Sequence, residues 1–216
     1  MPSPMCTLIF DLDGTLSDPM PGFSRSINHA LASSGFQPCR EPELARYVGP
    51  DIEATFRALT GSPDAVIRAL VRLYRERYEA VGFSENVLYP GIANALDAFS
   101  SHGLPLGVCT SRRPEMADRI LRKLEVRERF HFVSGADANM TKRQQLSRLL
   151  AAGVIDSTAL MIGDRAVDLT GAHANGLRSV GVLWGYGSRS ELQAQSPLRL
   201  LDHVADLADL TGLLTR

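Results

Sequence analysis

The sequence predicts an α/β fold, a Rossmann-like doubly wound parallel sheet with an inserted α-helical segment. Three observations carry this reading. Short apolar runs suited to buried strands, near 5–10, 104–109, 131–134, 159–162 and 179–183, alternate with stretches of helical periodicity, the pattern of parallel βαβ units. Between about residues 17 and 88 only helical spacing is found. Carboxylates and hydroxyls collect where the apolar runs stop, and open α/β sheets bind ligands beyond the carboxyl ends of their strands.

The first strand, Met5 to Phe10, delivers Asp11-Leu12-Asp13-Gly14-Thr15-Leu16. Extended backbone aims Asp11 and Asp13 to one side, with Leu12 turned into packing. Two anions so close repel and raise a pKa unless a divalent cation neutralises them, so the spacing points to a magnesium site. The alternative is an Asp-Gly turn that supplies only turn chemistry. Ser17-Asp18-Pro19 signals a helix start, and Ile27, Ala30, Leu31 and Ser34 keep helical spacing up to Gly35. Further helices are expected over Glu43–Tyr47, Ile52–Leu59 and Ala65–Val81, separated by Gly49-Pro50 and Gly61-Ser62-Pro63. Tyr89-Pro90-Gly91 opens a helix to about His102, and the strand Leu104–Cys109 closes on Thr110-Ser111-Arg112. A helix over Pro114–Leu124, a strand at His131–Ser134, a helix over Lys142–Ala151 and a strand at Ala159–Ile162 lead to Gly163-Asp164. Ala166–Asn175 is helical, Ser179–Leu183 is the last strand, and Asp202–Leu214 is one closing helix.

At 216 residues the chain accommodates one α/β domain plus an insertion. A net charge of -1 with intermixed signs and no basic run excludes a nucleic-acid or membrane-surface footprint. Cys6, Cys39 and Cys109 have neither disulfide-framework nor zinc spacing and read as reduced thiols. The opening residues Met1-Pro2-Ser3-Pro4 lack the pattern of a secretory leader, so a cytoplasmic protein is expected, as a monomer or homodimer.

Asp11-Leu12-Asp13-Gly14-Thr15-Leu16 resembles the DxDGT signature of the haloacid dehalogenase (HAD) superfamily. The other motifs follow in order: Thr110 resembles the second, Lys142 the third, and Gly163-Asp164-Arg165-Ala166-Val167-Asp168 the GDxxxD form of the fourth. Each has a plainer reading. Thr110 is also a candidate N-cap, Ser111 a second phosphate contact or the true cap, and Lys142 stands beside Arg143, where relatives usually have proline. The resemblance implies an α/β core over 1–16 and 89–216 and a C1-type helical cap over 17–88, hinged near 16–19 and 85–90. It implies a Mg2+-dependent phosphatase with Asp11 as nucleophile and Asp13 as general acid and base. Thr110, Ser111 and Lys142 would hold the phosphoryl group. Asp11, the Asp13 carbonyl and Asp164 would hold the metal, with Asp168 behind them.

Because Asp13 is present, the phosphomonoester branch fits rather than dehalogenases. The run from Gly171 to Gly187 looks most like the phosphoglycolate phosphatases, while Tyr47-Val48-Gly49-Pro50 also resembles capped 5'-nucleotidases. The expected partner is a small phosphorylated metabolite: phosphoglycolate first, a nucleoside monophosphate next, then a sugar phosphate handled as by β-phosphoglucomutase. A phosphate-sensing binding module is the non-enzyme alternative. Arg46, Tyr47 and Gly49, with Arg25, are the expected cap contacts to substrate, and a plain solvated face is the alternative for each.

Overall fold

Leu8–Phe10 (β1) is a run of three buried apolar residues, as a strand covered on both faces requires. This is a computed structural model, and it describes residues 6–49, 51–136 and 140–214. Residues 1–4, Met5 of the expected first strand, and Pro50 of the expected Gly49-Pro50 break lie outside the described residues. After the turn at Asp11–Leu16 the chain runs through β2 (Ser17–Asp18), α1 (Met20–Ser33), α2 (Glu41–Leu44), α3 (Ile52–Thr60), α4 (Asp64–Ala80) and β3 (Val87–Leu88). Strands and helices then alternate: α5 (Ile92–Ser101), β4 (Leu106–Cys109), α6 (Pro114–Lys123), β5 (Phe132–Ser134), α7 (Lys142–Ala151), β6 (Leu160–Gly163), α8 (Ala166–His173) and β7 (Arg178–Val182). The chain closes with α9 (Arg189–Gln193), β8 (Arg199–Leu201) and α10 (Ala208–Leu214).

Six strands form one parallel sheet in the order β5-β4-β1-β6-β7-β8. Strand order runs outward from β1 through β4 to β5, then restarts at β6 on the other side. The reversal beside β1 is a topological switch point, and the crevice beyond it is where α/β sheets hold ligands. Phe10 pairs with Val108 and with Ile162, so Asp11, just past β1, stands level with Cys109 and Gly163, the last residues of β4 and β6. Alternation along the strands sends successive side chains to opposite faces. Ile9, Cys109 and Met161 pack with Leu146, Ala172 and Leu177, while Phe10 meets the rings of Phe99 and Phe130 at centroid distances of 6.2 and 6.5 Å. Helical residues therefore cover both faces.

The chain divides into two compact units, Met1–Ser17 with Leu88–Arg216, and Asp18–Val87. The second is helical. Its core gathers Ile27, Leu31, Leu44, Phe56, Ile67 and Leu70 around Tyr74, which stacks on Tyr78 at 5.5 Å and meets Phe23 and Phe56 edge-on. Asp51 caps α3 by accepting from the amides of Glu53 and Ala54.

Several element boundaries differ from the expectations. The sheet has an edge strand, β8, beyond the expected last strand, because three residues led by an exposed arginine leave no alternation to read. α9 is only five residues long and starts at a Ser188 cap. The expected single closing helix is split, since Asp206 accepts from the Asp202 and His203 amides and fixes a 3-10 turn over Val204–Leu207 before α10. The helix expected over Glu43–Tyr47 starts at Glu41 and tightens to a 3-10 turn over Ala45–Tyr47. Among the described residues no helix is long and apolar enough to cross a membrane.

Phe10→Ala removes a ring 1% exposed from between Phe99 and Phe130. It is expected to lower stability by about 3–5 kcal/mol. Urea unfolding followed by fluorescence of the single tryptophan, Trp184 in the sheet unit, measures this.

Candidate active site

The switch point is where polar groups converge. Asp11 follows β1 directly, and its amide donates to the Ile162 carbonyl at 2.9 Å, which fixes it beside β6. Lys142 is the first residue of α7, a position set by a capping box in which Thr141 and Gln144 exchange side-chain to backbone bonds. Its side chain is 3% exposed. Nζ donates to Asp11 Oδ1 at 2.8 Å and to the Cys109 carbonyl at 2.5 Å, and lies 2.9 Å from Asp168 Oδ1. Asp168, in the first turn of α8, turns its other oxygen to the Arg165 amide at 3.1 Å. Asp164 follows β6 and is fully buried; its oxygens accept from Thr15 Oγ1 at 3.2 Å and the Tyr186 amide at 2.9 Å.

One carboxylate oxygen from each of Asp11, Asp164 and Asp168 lies within 4.8 Å of the others. Three anions thus share a buried space with one ammonium. Burial pushes Asp11 up most, with Lys142 opposing and Asp168 and Asp13 adding to the rise. Burial, then the charges of Asp11 and Asp168, push Asp164 to about 8. Burial alone would drain the Lys142 charge, but Asp11 and Asp168 outweigh it and hold the ammonium firmly protonated. This donor set is all hard oxygen, buried and short of positive charge, and it fits a divalent cation.

Asp13 does not join this cluster. It is held by Arg112, while its charge adds to the rise at Asp11. Arg112 Nε donates to Asp13 Oδ2 at 2.5 Å and Nη2 to Oδ1 at 3.1 Å, a two-pronged pair. Thr110 is buried at the end of β4. Its amide donates to the Ser134 carbonyl and its hydroxyl accepts from the Arg112 amide at 3.3 Å. Neither Thr110 nor the exposed Ser111 caps α6, whose N-cap is Arg113 with Pro114 following. In the helical unit Arg46 is exposed, donates to the Tyr47 hydroxyl at 2.9 Å and lies over its ring; Gly49 is exposed. Arg25 pairs with Glu85 at 2.9 Å.

A model of the family described as haloacid dehalogenase-like hydrolases matches residues 8–182. The chain belongs to the haloacid dehalogenase-like hydrolase family. It is 38% identical to a 5'-nucleotidase of Pseudomonas aeruginosa over 96% of this chain and 94% of that one. A phosphoglycolate phosphatase of Agrobacterium fabrum is 31% identical over 82% and 80%. The tyrosine-protein kinase PtkA of Mycobacterium tuberculosis is 35% identical over 94% of this chain and 70% of that one. Its solved structure matches with a TM-score of 0.81 at 32% identity, covering 97% and 100%. Phosphatases among these relatives support the phosphoric monoester hydrolase expected from the motifs.

In this hydrolase several site-building residues went unread in the sequence. Trp184-Gly185-Tyr186-Gly187, read there only as a resemblance, crosses over Asp164: Tyr186 donates to it and Trp184 Nε1 donates to the Thr15 carbonyl at 3.0 Å. A methyl at Gly185 would strike the Gly14 carbonyl and the Asp164 side chain, and Gly14, at φ +84°, faces the same carboxylate. The glycine spacing was the available signal. Arg112 had none, because it stands in the loop after β4 with no cap or helix start to mark it.

A carboxyl whose pKa is about 8 folded and about 4 unfolded favours the folded state fully below about pH 4, and that contribution is lost as pH rises through about 8. The protein in chelator is therefore expected to lose thermal stability between about pH 5 and 8.5, and magnesium chloride to restore it increasingly over that range. Asp164→Asn should flatten both trends in a thermal-shift series.

Proposed function

We propose that this family member is a magnesium-dependent phosphatase acting on a small phosphate monoester through an aspartyl-phosphate. The carrying observation is the buried meeting of Asp11, Asp164, Asp168 and Lys142 at the switch point. In the proposed reaction an Asp11 oxygen attacks phosphorus in line and forms the acyl phosphate. The ester P–O bond breaks, and Asp13 gives its proton to the departing alkoxide. Asp13 then takes a proton from water as that water attacks phosphorus, which frees Asp11 and yields inorganic phosphate.

Lys142 and the Thr110 hydroxyl, with Ser111 beside them, stabilise charge on the transferring phosphoryl oxygens. Asp11, the Asp13 carbonyl and Asp164, with Asp168 in support, would hold magnesium, which when bound would supply the charge neutralisation that lets one anion approach another. Arg46, Tyr47 and Gly49 are proposed to select the substrate from the helical unit, a role that Arg46→Ala tests by changing relative kcat/KM across a substrate panel. Phosphoglycolate is the leading substrate. A nucleoside 5'-monophosphate is the second reading, favoured by the 38% identity to a 5'-nucleotidase. The kinase name belongs to its own protein; a phosphoaspartate open to water favours hydrolysis here.

With magnesium, the protein is expected to release inorganic phosphate from p-nitrophenyl phosphate. Asp11→Asn should lower kcat at least about a thousandfold with the fold retained by circular dichroism, and Lys142→Met at least about a hundredfold. Release undiminished in Asp11→Asn would refute the nucleophile assignment.

A further inference from the structure

The ion pair between Asp13 and Arg112 lies wholly inside the sheet unit and differs in kind from the pair beneath it. Lys142 is sealed, at 3% side-chain exposure, whereas Arg112 and Asp13 are 20% and 18% exposed. The Arg112 backbone is pinned on both sides, its amide by Thr110 Oγ1 at 3.3 Å and its carbonyl by the Ala136 amide at 2.8 Å.

We propose, on the reading just given for Asp11 and Asp13, that Arg112 selects monoesters bearing a second anionic group close to the ester oxygen. In the resting enzyme Asp13 occupies the guanidinium fork, and the substrate's own anion takes its place.

Three points carry this. Both Asp13 oxygens are held by Arg112 N–H groups, so opening the fork frees both of them for a leaving oxygen or a water. A guanidinium stays charged and matches planar carboxylates by geometry, so the partner suited to displace a carboxylate from it is another carboxylate or a phosphate. Because Asp13 serves the leaving oxygen, the group facing Asp13 also faces the atoms bonded to that oxygen. A substrate carboxylate one or two carbons from the ester is then within reach of the fork, and its binding releases Asp13 as the ester arrives. An ester without this second charge brings no anion to exchange for Asp13 at the fork, which disfavours it. A nucleoside monophosphate, whose only anion is the group transferred, belongs to the disfavoured class.

The test compares 2-phosphoglycolate with ethyl phosphate, which replaces the carboxylate by a methyl group, in the wild-type protein, Arg112→Gln and Arg112→Lys, with magnesium present. The wild-type ratio of kcat/KM is expected to favour phosphoglycolate by at least about tenfold. In Arg112→Gln it should fall to near one, chiefly through a raised KM for phosphoglycolate. Arg112→Lys, which keeps the charge and loses the fork, should fall between them. A ratio unchanged in both variants, or a wild-type ratio near one, overturns selection by Arg112 and leaves the phosphatase reading standing. If Arg112→Gln does not fold, an unchanged ratio in Arg112→Lys overturns the proposal alone. Phosphate release from neither ester by the wild-type protein overturns the phosphatase reading and this proposal with it.

Discussion

Three carboxylates buried around one ammonium constitute the constraint on which the rest of the sheet unit is arranged. An isolated buried carboxylate costs several kcal/mol, and the cost is borne only where hydrogen bonds and opposite charge are supplied by rigid neighbours. Each member here is so supplied. Asp11 and Asp168 share Lys142, Asp164 takes the Thr15 hydroxyl and the Tyr186 amide, and Asp168 takes the Arg165 amide. Burial first, and then repulsion among the carboxylates, raises the pKa of Asp11 and Asp164 despite these donors. Three carboxylates against one ammonium make the site a receptor for a cation.

Placement follows from topology. Parallel strands in register bring Phe10, Val108 and Ile162 level, so residues next in sequence emerge together at one edge. Reversal of strand order beside β1 leaves a crevice there. α7 then brings Lys142 in from the side, its start fixed by the Thr141 and Gln144 capping box, so a local rule of helix initiation sets the position of a charge more than a hundred residues from its partner.

The sequence made the core of this legible because strands, glycine turns and carboxylates recur at spacings with one economical meaning. Asp11, Asp164, Asp168 and Lys142 each sit at a strand end or helix start, which local patterning marks, and the motif resemblance singled them out among such positions. Arg112 was illegible, since its pair joins two loops and no local pattern in Thr110-Ser111-Arg112 marks a partner at Asp13. β8 and the split closing helix were hidden for a related reason: three residues are too few for a period, and Asp206 redirects its helix through one side chain.

The two signature aspartates illustrate how two residues of separation become two chemical environments. Asp11 still follows the strand, and its partner is a lysine sealed in the core with three oxygen neighbours. Asp13 stands just before Gly14, which adopts a left-handed conformation, and its partner is an arginine at the more accessible pair. A nucleophile must be held in one place while charge changes around it, which a buried multi-point contact provides. An acid that becomes a base must exchange partners within one turnover, which a sealed pair would forbid. On the roles proposed for Asp11 and Asp13, the different burial of the two ion pairs matches different demands on two residues of one loop.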